Sequence, residues 1–292
     1  MSEILPPRLD VVELNVYKPR PFVFTELAIC LRDAVRAAGF ACEHLVNETV
    51  PGVPAIAFVP TDGWKDFVAT RNPRELVLFN LEQLGSDAPW TRDGYAAALA
   101  DWVVADYNPA NVDWLRHHNG PAQRVHELPV APSASLAWAG SGDDGARTDV
   151  LFFGTVNPRR DEVIQRLRAE GLTVEVVQGA YGPELAPAVR RARLVLHVHF
   201  YETRLFPVAR VLQPVAQGVP IVCETSVCSR LADWTHSGIT FADHDQLVSA
   251  CVALLADPAR QLAGVQRNLR FANGIDTAGP LRALLADLLQ PR

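Results

Sequence analysis

Several things are scarce in this sequence. Of 292 residues only five are cysteine and one is methionine, and 27 Lys and Arg against 33 Asp and Glu leave a formal net charge of −6. Cys30, Cys42, Cys223, Cys228 and Cys251 form no C-x-x-C pair and no disulfide framework for a chain this long, so they read as reduced, packed thiols. Cys223 and Cys228 lack a second Cys or His pair at zinc-ligand spacing. The acidic balance excludes a whole-protein positive field for nucleic acid or anionic membrane, so an anionic ligand needs a local basic pocket. No apolar run nears the roughly 18 residues of a membrane-spanning helix. The opening MSEILPPRLDVVEL lacks the basic stretch and apolar core of a secretory signal. The expectation is a soluble, cytoplasmic protein without a transmembrane segment. The six tryptophans form no ladder with basic residues, which speaks against a single-strand nucleic-acid groove.

What the chain does have is alternation. At 49% hydrophobic and 21% charged it has ordinary globular composition, and its length allows two domains of roughly 150 residues. Short apolar runs at 10–16, 41–46, 55–59, 76–80 and 102–105 read as strands. Helical spacing at 25–38, 64–69, 91–100 and 108–118 fills the gaps. A polar stretch at 141–148 reads as a linker. The alternation then restarts, with strands at 149–153, 172–178, 194–200, 220–224 and 238–241. Helices are expected at 158–169, 183–192, 204–217, 246–255, 258–272 and 278–289. Asn157 followed by Pro158 is a helix cap with proline at the first helical position. Such a pattern predicts an α/β chain of two Rossmann-like domains facing each other across a cleft, with ligands at the carboxyl ends of the strands. The boundaries expected are 1–142, 148–272 and a C-terminal helix in 273–292 that packs back on the N-terminal domain.

The most informative local stretch is LFFGTVNPRR, Leu151 to Arg160. A strand ends at Gly154 and a helix opens beneath Arg159 and Arg160. Backbone N–H groups, the helix terminus and guanidinium groups thus converge on a seat for an anion such as a diphosphate. The stretch contains neither the GK[ST] of a P-loop nor a G-x-G-x-x-G fingerprint; the plain alternative is a strand–helix turn with solvated arginines. The second stretch is HVHFYETRLFPVARVLQ, His197 to Gln213. His197 and His199 share one face of a strand. They are a metal pair if Glu202 is a third ligand, or hydrogen-bonding groups for a sugar or phosphate at the strand end. Asp243-His-Asp245 matches a D-x-D metal-diphosphate pattern but stands just before a helix, where Asp is an ordinary cap.

With FGTVNPRR, QGAYG (Gln178 to Gly182), the run ending in HVH, Tyr201-Glu202, Arg210 and AQGVPIVCE (Ala216 to Glu224), the second half resembles the nucleotide-sugar-binding domain of GT-B glycosyltransferases. The resemblance implies a nucleoside-diphosphate-sugar donor and transfer without a bound metal or other cofactor. The donor-binding residues it implies are Gly154, Asn157, Arg159, Arg160, Tyr181, His199, Tyr201, Glu202, Arg210 and Gln213. The chain departs from the family at the E-x7-E motif of many retaining members, with Leu205 and Gln213 at the two acidic positions. In the first half, LFNLEQL (Leu78 to Leu84) and ADYNPAN (Ala105 to Asn111) resemble the acceptor-side domain of a subset of bacterial GT-B proteins. That likeness implies Glu82 or Asp106 as the base that takes the acceptor's proton; the acceptor itself is unspecified. The missing acidic pair keeps open a non-catalytic GT-B-like protein that binds a nucleotide or serves as an accessory subunit. A nucleotide-sugar epimerase would keep the fold and change the chemistry.

Overall fold

In the computed structural model, which describes residues 7–15, 23–59, 64–85, 94–138, 147–201, 203–226 and 232–290, the described strands all pair in parallel and form two sheets. The chain divides into two units, Met1–Ala131 with Ile275–Arg292, and Pro132–Gly274.

The first unit runs β1 (Asp10–Glu13), α1 (Thr25–Ala37), β2 (His44–Val46), β3 (Ala55–Val59), α2 (Trp64–Val68), β4 (Leu76–Asn80), α3 (Tyr95–Leu99), β5 (Val103–Asp106), α4 (Pro109–Asn119) and β6 (Val125–Glu127). Its sheet order is β2-β1-β3-β4-β5-β6. Strands β3 and β4 are buried along their whole length, as near-continuous apolar runs in a parallel sheet covered on both faces should be. Val12, Ala57, Leu78 and Val104 line one face with Trp64, Leu99 and Leu115 from the helices. The unit is completed from the far end of the sequence. Helix α11 (Ala278–Leu289) buries Leu281, Leu284, Leu285 and Leu288 at helical spacing, Arg282 donates to the Ala38 carbonyl at 2.9 Å, and Asp287 meets His126 at 2.7 Å.

The second unit runs β7 (Thr148–Phe153), α5 (Pro158–Ala169), β8 (Val174–Val177), α6 (Ala186–Arg191), β9 (Ala192–His197), α7 (Val208–Ala216), β10 (Ile221–Glu224), α8 (Ala232–Thr235), β11 (Thr240–Ala242), α9 (Leu247–Leu255) and α10 (Pro258–Asn273). Alternate residues of β7 feed two cores. Val150 and Phe152 pack with Val163, Leu167, Leu247 and Cys251, while Leu151 and Phe153 pack with Leu185, Val189 and Val219. Residues ahead of β7 already belong here, since Gln217 donates to the Leu136 carbonyl at 3.2 Å and Arg190 to that of Trp138 at 2.8 Å. Of the expected linker, 141–146 lies outside the described residues, and Thr148 opens β7.

The sheet order β11-β10-β9-β7-β8 reverses direction between β7 and β9. A doubly wound sheet binds ligands outside the strand ends at such a switch point, and here those ends are Gly154 and the His197–His199 segment. Helix α7 is shorter than the expected 204–217. Its approach passes through Arg204 at φ +44°, and Pro207 stands immediately before the first helical residue. No helix among the described residues is long and apolar enough to cross a membrane.

Candidate functional site

At the switch point of the second unit, β7 gives way to Gly154 at φ +125°, a conformation open to glycine, and its amide still donates to the Val177 carbonyl at 2.9 Å. Asn157 then caps α5, its Oδ1 accepting from the Arg160 amide at 2.9 Å. The cap engages that amide internally.

The two arginines that follow are also turned inward. Arg159 Nη1 donates to Glu224 Oε2 at 2.7 Å and to the His199 carbonyl at 3.1 Å, and its Nη2 pairs with the other carboxylate oxygen. Glu224, the last residue of β10, has no solvent exposure. Burial works to raise its pKa, but the hydrogen bonds from Arg159 and the His199 amide outweigh it and hold the carboxyl below its ordinary range. Arg160 donates Nε to the Val198 carbonyl at 2.9 Å and Nη1 to that of Thr155 at 2.7 Å, beneath the rings of Phe152 and Phe200. Burial, with Arg210 adding repulsion, brings its pKa down to about 10, so it stays charged at neutrality.

Both histidines are held neutral. The His199 amide donates to Glu224 Oε2 at 2.9 Å, and its Nε2 lies 3.2 Å from the Glu224 carbonyl and 3.1 Å from Ser226 Oγ. Donation to a carbonyl puts the proton on Nε2 and leaves Nδ1 an acceptor. Burial takes the His199 pKa to about 4, and burial together with His199, Arg160 and Arg210 takes that of His197 well below the imidazole range. The rings meet edge to face at 5.2 Å, and His197 Nε2, fully buried, has no hydrogen-bond partner among the described residues.

Arg210 approaches from α7. A Cβ built on Gly154 would lie 3.5 to 3.6 Å from its guanidinium, which sits 5.5 Å from the Phe153 ring. One turn on, Gln213 donates Nε2 to the Gly182 carbonyl at 3.2 Å, while its buried Oε1 finds no partner among the described residues.

In the first unit, Asp106 ends β5 with no solvent exposure. Its Oδ2 accepts from Asn80 Nδ2 at 2.6 Å and Asn111 Nδ2 at 2.8 Å, and its Oδ1 from the Asn108 amide at 2.6 Å. Burial raises its pKa to about 7 against those three donors. The same amides reach Glu82: Asn80 and Asn111 each donate to the Glu82 carbonyl at 2.9 Å, and Asn80 Oδ1 accepts from the Tyr95 hydroxyl at 2.7 Å. This buried network clamps the backbone that carries the half-buried Glu82 side chain.

No family model matches the sequence. Among curated proteins, the uncharacterized protein L138 of Acanthamoeba polyphaga mimivirus is 29% identical over 110 residues, covering 37% of this chain and 12% of its own. The uncharacterized protein L140 of the same virus is 24% identical over 136 residues, 44% of each chain. The chain therefore spans less than half the length of either relative. Solved structures align over nearly the whole chain. HepE of Anabaena, in complex with UDP-glucose, covers 96% of this chain and 99% of its own at TM-score 0.62 and 12% identity. WaaG, a glycosyltransferase involved in lipopolysaccharide biosynthesis, covers 97% and 100% at 0.56 and 11%. Sucrose-phosphate synthase of Thermosynechococcus elongatus covers 96% and 97% at 0.59 and 12%. The chain has the GT-B fold.

Of the donor-side residues expected in this GT-B chain, the structure brings Gly154, Asn157, Arg159, Arg160, His199 and Arg210 together at one strand-end cluster. Tyr201 stands beside it through Phe200, ring centroids 4.8 Å apart, and Tyr181 leads into the Gly182–Glu184 turn that Gln213 holds. Glu202 lies outside the described residues. Two participants were not singled out from sequence as donor-binding residues. The orphaned His197 was visible there only as the partner of His199. Glu224 had a signal of its own: a carboxylate closing the apolar run Ile221–Glu224 of a parallel strand must find a cation when buried. On the acceptor side, Glu82 and Asp106 share one network, but only Glu82 keeps side-chain exposure.

Proposed function

We propose that the protein is a glycosyltransferase that takes a nucleoside-diphosphate sugar as donor, without a bound metal, and passes the sugar to an acceptor hydroxyl. One observation carries the reading. At the switch point of a GT-B second unit, a positive-φ glycine lies against the Arg210 guanidinium, and β9 and α7 each carry a buried polar atom, His197 Nε2 and Gln213 Oε1, without a partner among the described residues, which a ligand with phosphate oxygens and hydroxyls would complete. The Arg210 guanidinium supplies the positive charge that a departing diphosphate needs. Of the two acceptor-side carboxylates, Glu82 suits the base, with Asp106 holding its loop. The HepE structure contains UDP-glucose, which supports trying uridine donors first.

The full chain, melted with UDP-, GDP-, ADP- and dTDP-sugars and assayed for nucleoside-diphosphate release, tests this. A donor at about 100 times its Kd adds about 2.7 kcal/mol of stability, so a rise in Tm with one donor and release of its diphosphate are expected. No rise with any of them would overturn the reading. The neutral Gln213 and the fully engaged Asp106 favour a second reading, a nucleotide-binding protein without transfer activity; a rise in Tm without diphosphate release would select it.

A further inference from the structure

We propose that Arg210 is the cation that contacts the donor's diphosphate, with His197 and Gln213 completing its seat, and that Arg159 and Arg160 are positioning residues that do not touch it. The inference rests on the donor reading above. Three arginines reach this strand end, and they are distinguished by what already holds them. Arg159 is joined by two nitrogens to the carboxylate of Glu224 and by a third contact to the His199 carbonyl, so the pair carries no net charge into the site. Arg160 is buried, with Nε and Nη1 on the Val198 and Thr155 carbonyls. It braces the end of β9 against the loop after β7.

Arg210 differs from both. It is half-buried, and its guanidinium has no hydrogen bond or ion pair among the described residues. It packs at ordinary contact distance, 3.5 to 3.6 Å, from where a Cβ on residue 154 would stand, and the positive φ of Gly154 favours a residue without one, so the guanidinium lies against bare backbone. A planar fork of five N–H donors with one face on a glycine suits the oxygens of a phosphate. The flanking atoms are an independent sign of a ligand. Arg210 and Gln213 are three residues apart on α7 and so share a helix face. The bond to Gly182 fixes the Gln213 amide and leaves Oε1 an acceptor without a partner among the described residues, one that a ligand hydroxyl can fill. His197 Nε2, at the end of β9, is buried without a hydrogen-bond partner among the described residues, its ring edge to face with that of His199 at 5.2 Å. A guanidinium, a neutral imidazole and a neutral amide acceptor together fit a phosphoryl group with a hydroxyl close by.

The test is calorimetric titration of the full chain with UDP, GDP, ADP and dTDP, then of variants with whichever binds. Losing a charge-assisted contact corresponds to about 10- to 100-fold weaker binding, expected for Arg210→Ala. Millimolar guanidinium is expected to restore part of that affinity, because the vacated seat opens to the ligand. Arg159→Lys, which keeps a cation on Glu224, is expected to lower Tm while binding stays within about threefold of the parent, below the cost of one charged hydrogen bond. If Arg210→Ala melts too low to titrate, Arg210→Lys decides, with weakening of about threefold or more expected from loss of the fork. Parent-like binding by the folded Arg210 variant overturns the inference while leaving the donor reading intact, as does a folded Arg159→Lys that loses binding as fully as Arg210→Ala. No binding of any nucleotide to the parent overturns the donor reading itself, and this inference with it.

Discussion

Arg159 grips Glu224 with both guanidinium nitrogens, and the carboxylate it grips is sealed from solvent while a third of the arginine side chain is not. The two partners therefore differ in what their loss leaves behind. Arg159→Ala strands a buried carboxylate and is expected to cost about 2–4 kcal/mol. Glu224→Gln frees an arginine that can turn to water and keeps an acceptor for the His199 amide, so about 1–2 kcal/mol is expected. Urea denaturation at pH 7 measures both, and a larger loss for Glu224→Gln would contradict the geometry.

The carboxylate of Asp106 meets three N–H donors and no other polar group from Asn80, Asn108 or Asn111. Asp106→Asn replaces one acceptor oxygen with an NH2 aimed at a donor, so a loss of about 1–3 kcal/mol is expected. Because Asn80 and Asn111 also hold the Glu82 carbonyl, the damage should spread to that loop. Hydrogen exchange over residues 81–85 should accelerate in Asp106→Asn more than exchange over β1; equal acceleration in both would separate the network from the loop.

Much of this fold is legible in the residues, and the reasons are local. The strands Ala55–Val59 and Leu76–Asn80 and the helices Pro158–Ala169 and Ala278–Leu289 lie where apolar runs, helical spacing and caps put them. Strand β6 escapes notice because only Val125 in Val125–Glu127 is apolar. The strand expected at 194–200 stops at His197, where β10 ceases to offer a partner beyond Cys223. In the site, the placing of two arginines at a helix start is visible in Asn157-Pro158-Arg159-Arg160, but what they bond to is not. The Arg159 partner lies 65 residues away and those of Arg160 are backbone carbonyls, which carry no sequence signal.

The two units should answer pH in opposite directions. Burial raises Asp106 from 3.8 to about 7, against Asn80, Asn108 and Asn111 and with Glu127 adding repulsion. Between those values the folded unit binds a proton that the unfolded chain has released, so its stability falls as pH rises through the window. His199 is lowered by burial from 6.5 to about 4, with Glu224 opposing and Arg159 and Arg160 reinforcing. There the unfolded chain binds the extra proton, so stability falls as pH drops from 6.5 toward 4. At about 1.4 kcal/mol per pKa unit, the effect is on the order of 4 kcal/mol for Asp106 and 3 kcal/mol for His199. Hydrogen exchange at pH 4.5 and 7, corrected for intrinsic rates, should show β5 better protected at the lower pH and β9 at the higher. A shift in the same direction for both strands would refute the assignment.

Gly238 and Gly264 let α10 press directly on the turn before β11. A Cβ on Gly238 would fall 1.7 Å from the Gly264 carbonyl oxygen, and one on Gly264 would fall 2.9 Å from that of Gly238. Neither obstacle is a side chain that can rotate away. The approach also lets Asn268 Oδ1 accept from the Gly238 amide at 2.8 Å. Gly264→Ala gains helix propensity of about 1 kcal/mol yet meets a backbone oxygen at sub-contact distance. Gly238→Ala meets a full overlap, with no helical gain to offset it. Gly238→Ala should therefore be the more damaging, by about 1–3 kcal/mol relative to Gly264→Ala, as expected when extra volume forces the backbone to move. Thermal melts of the two single variants check the order. If Gly264→Ala proves more stable than the parent and Gly238→Ala neutral, the backbone contact does not limit this packing.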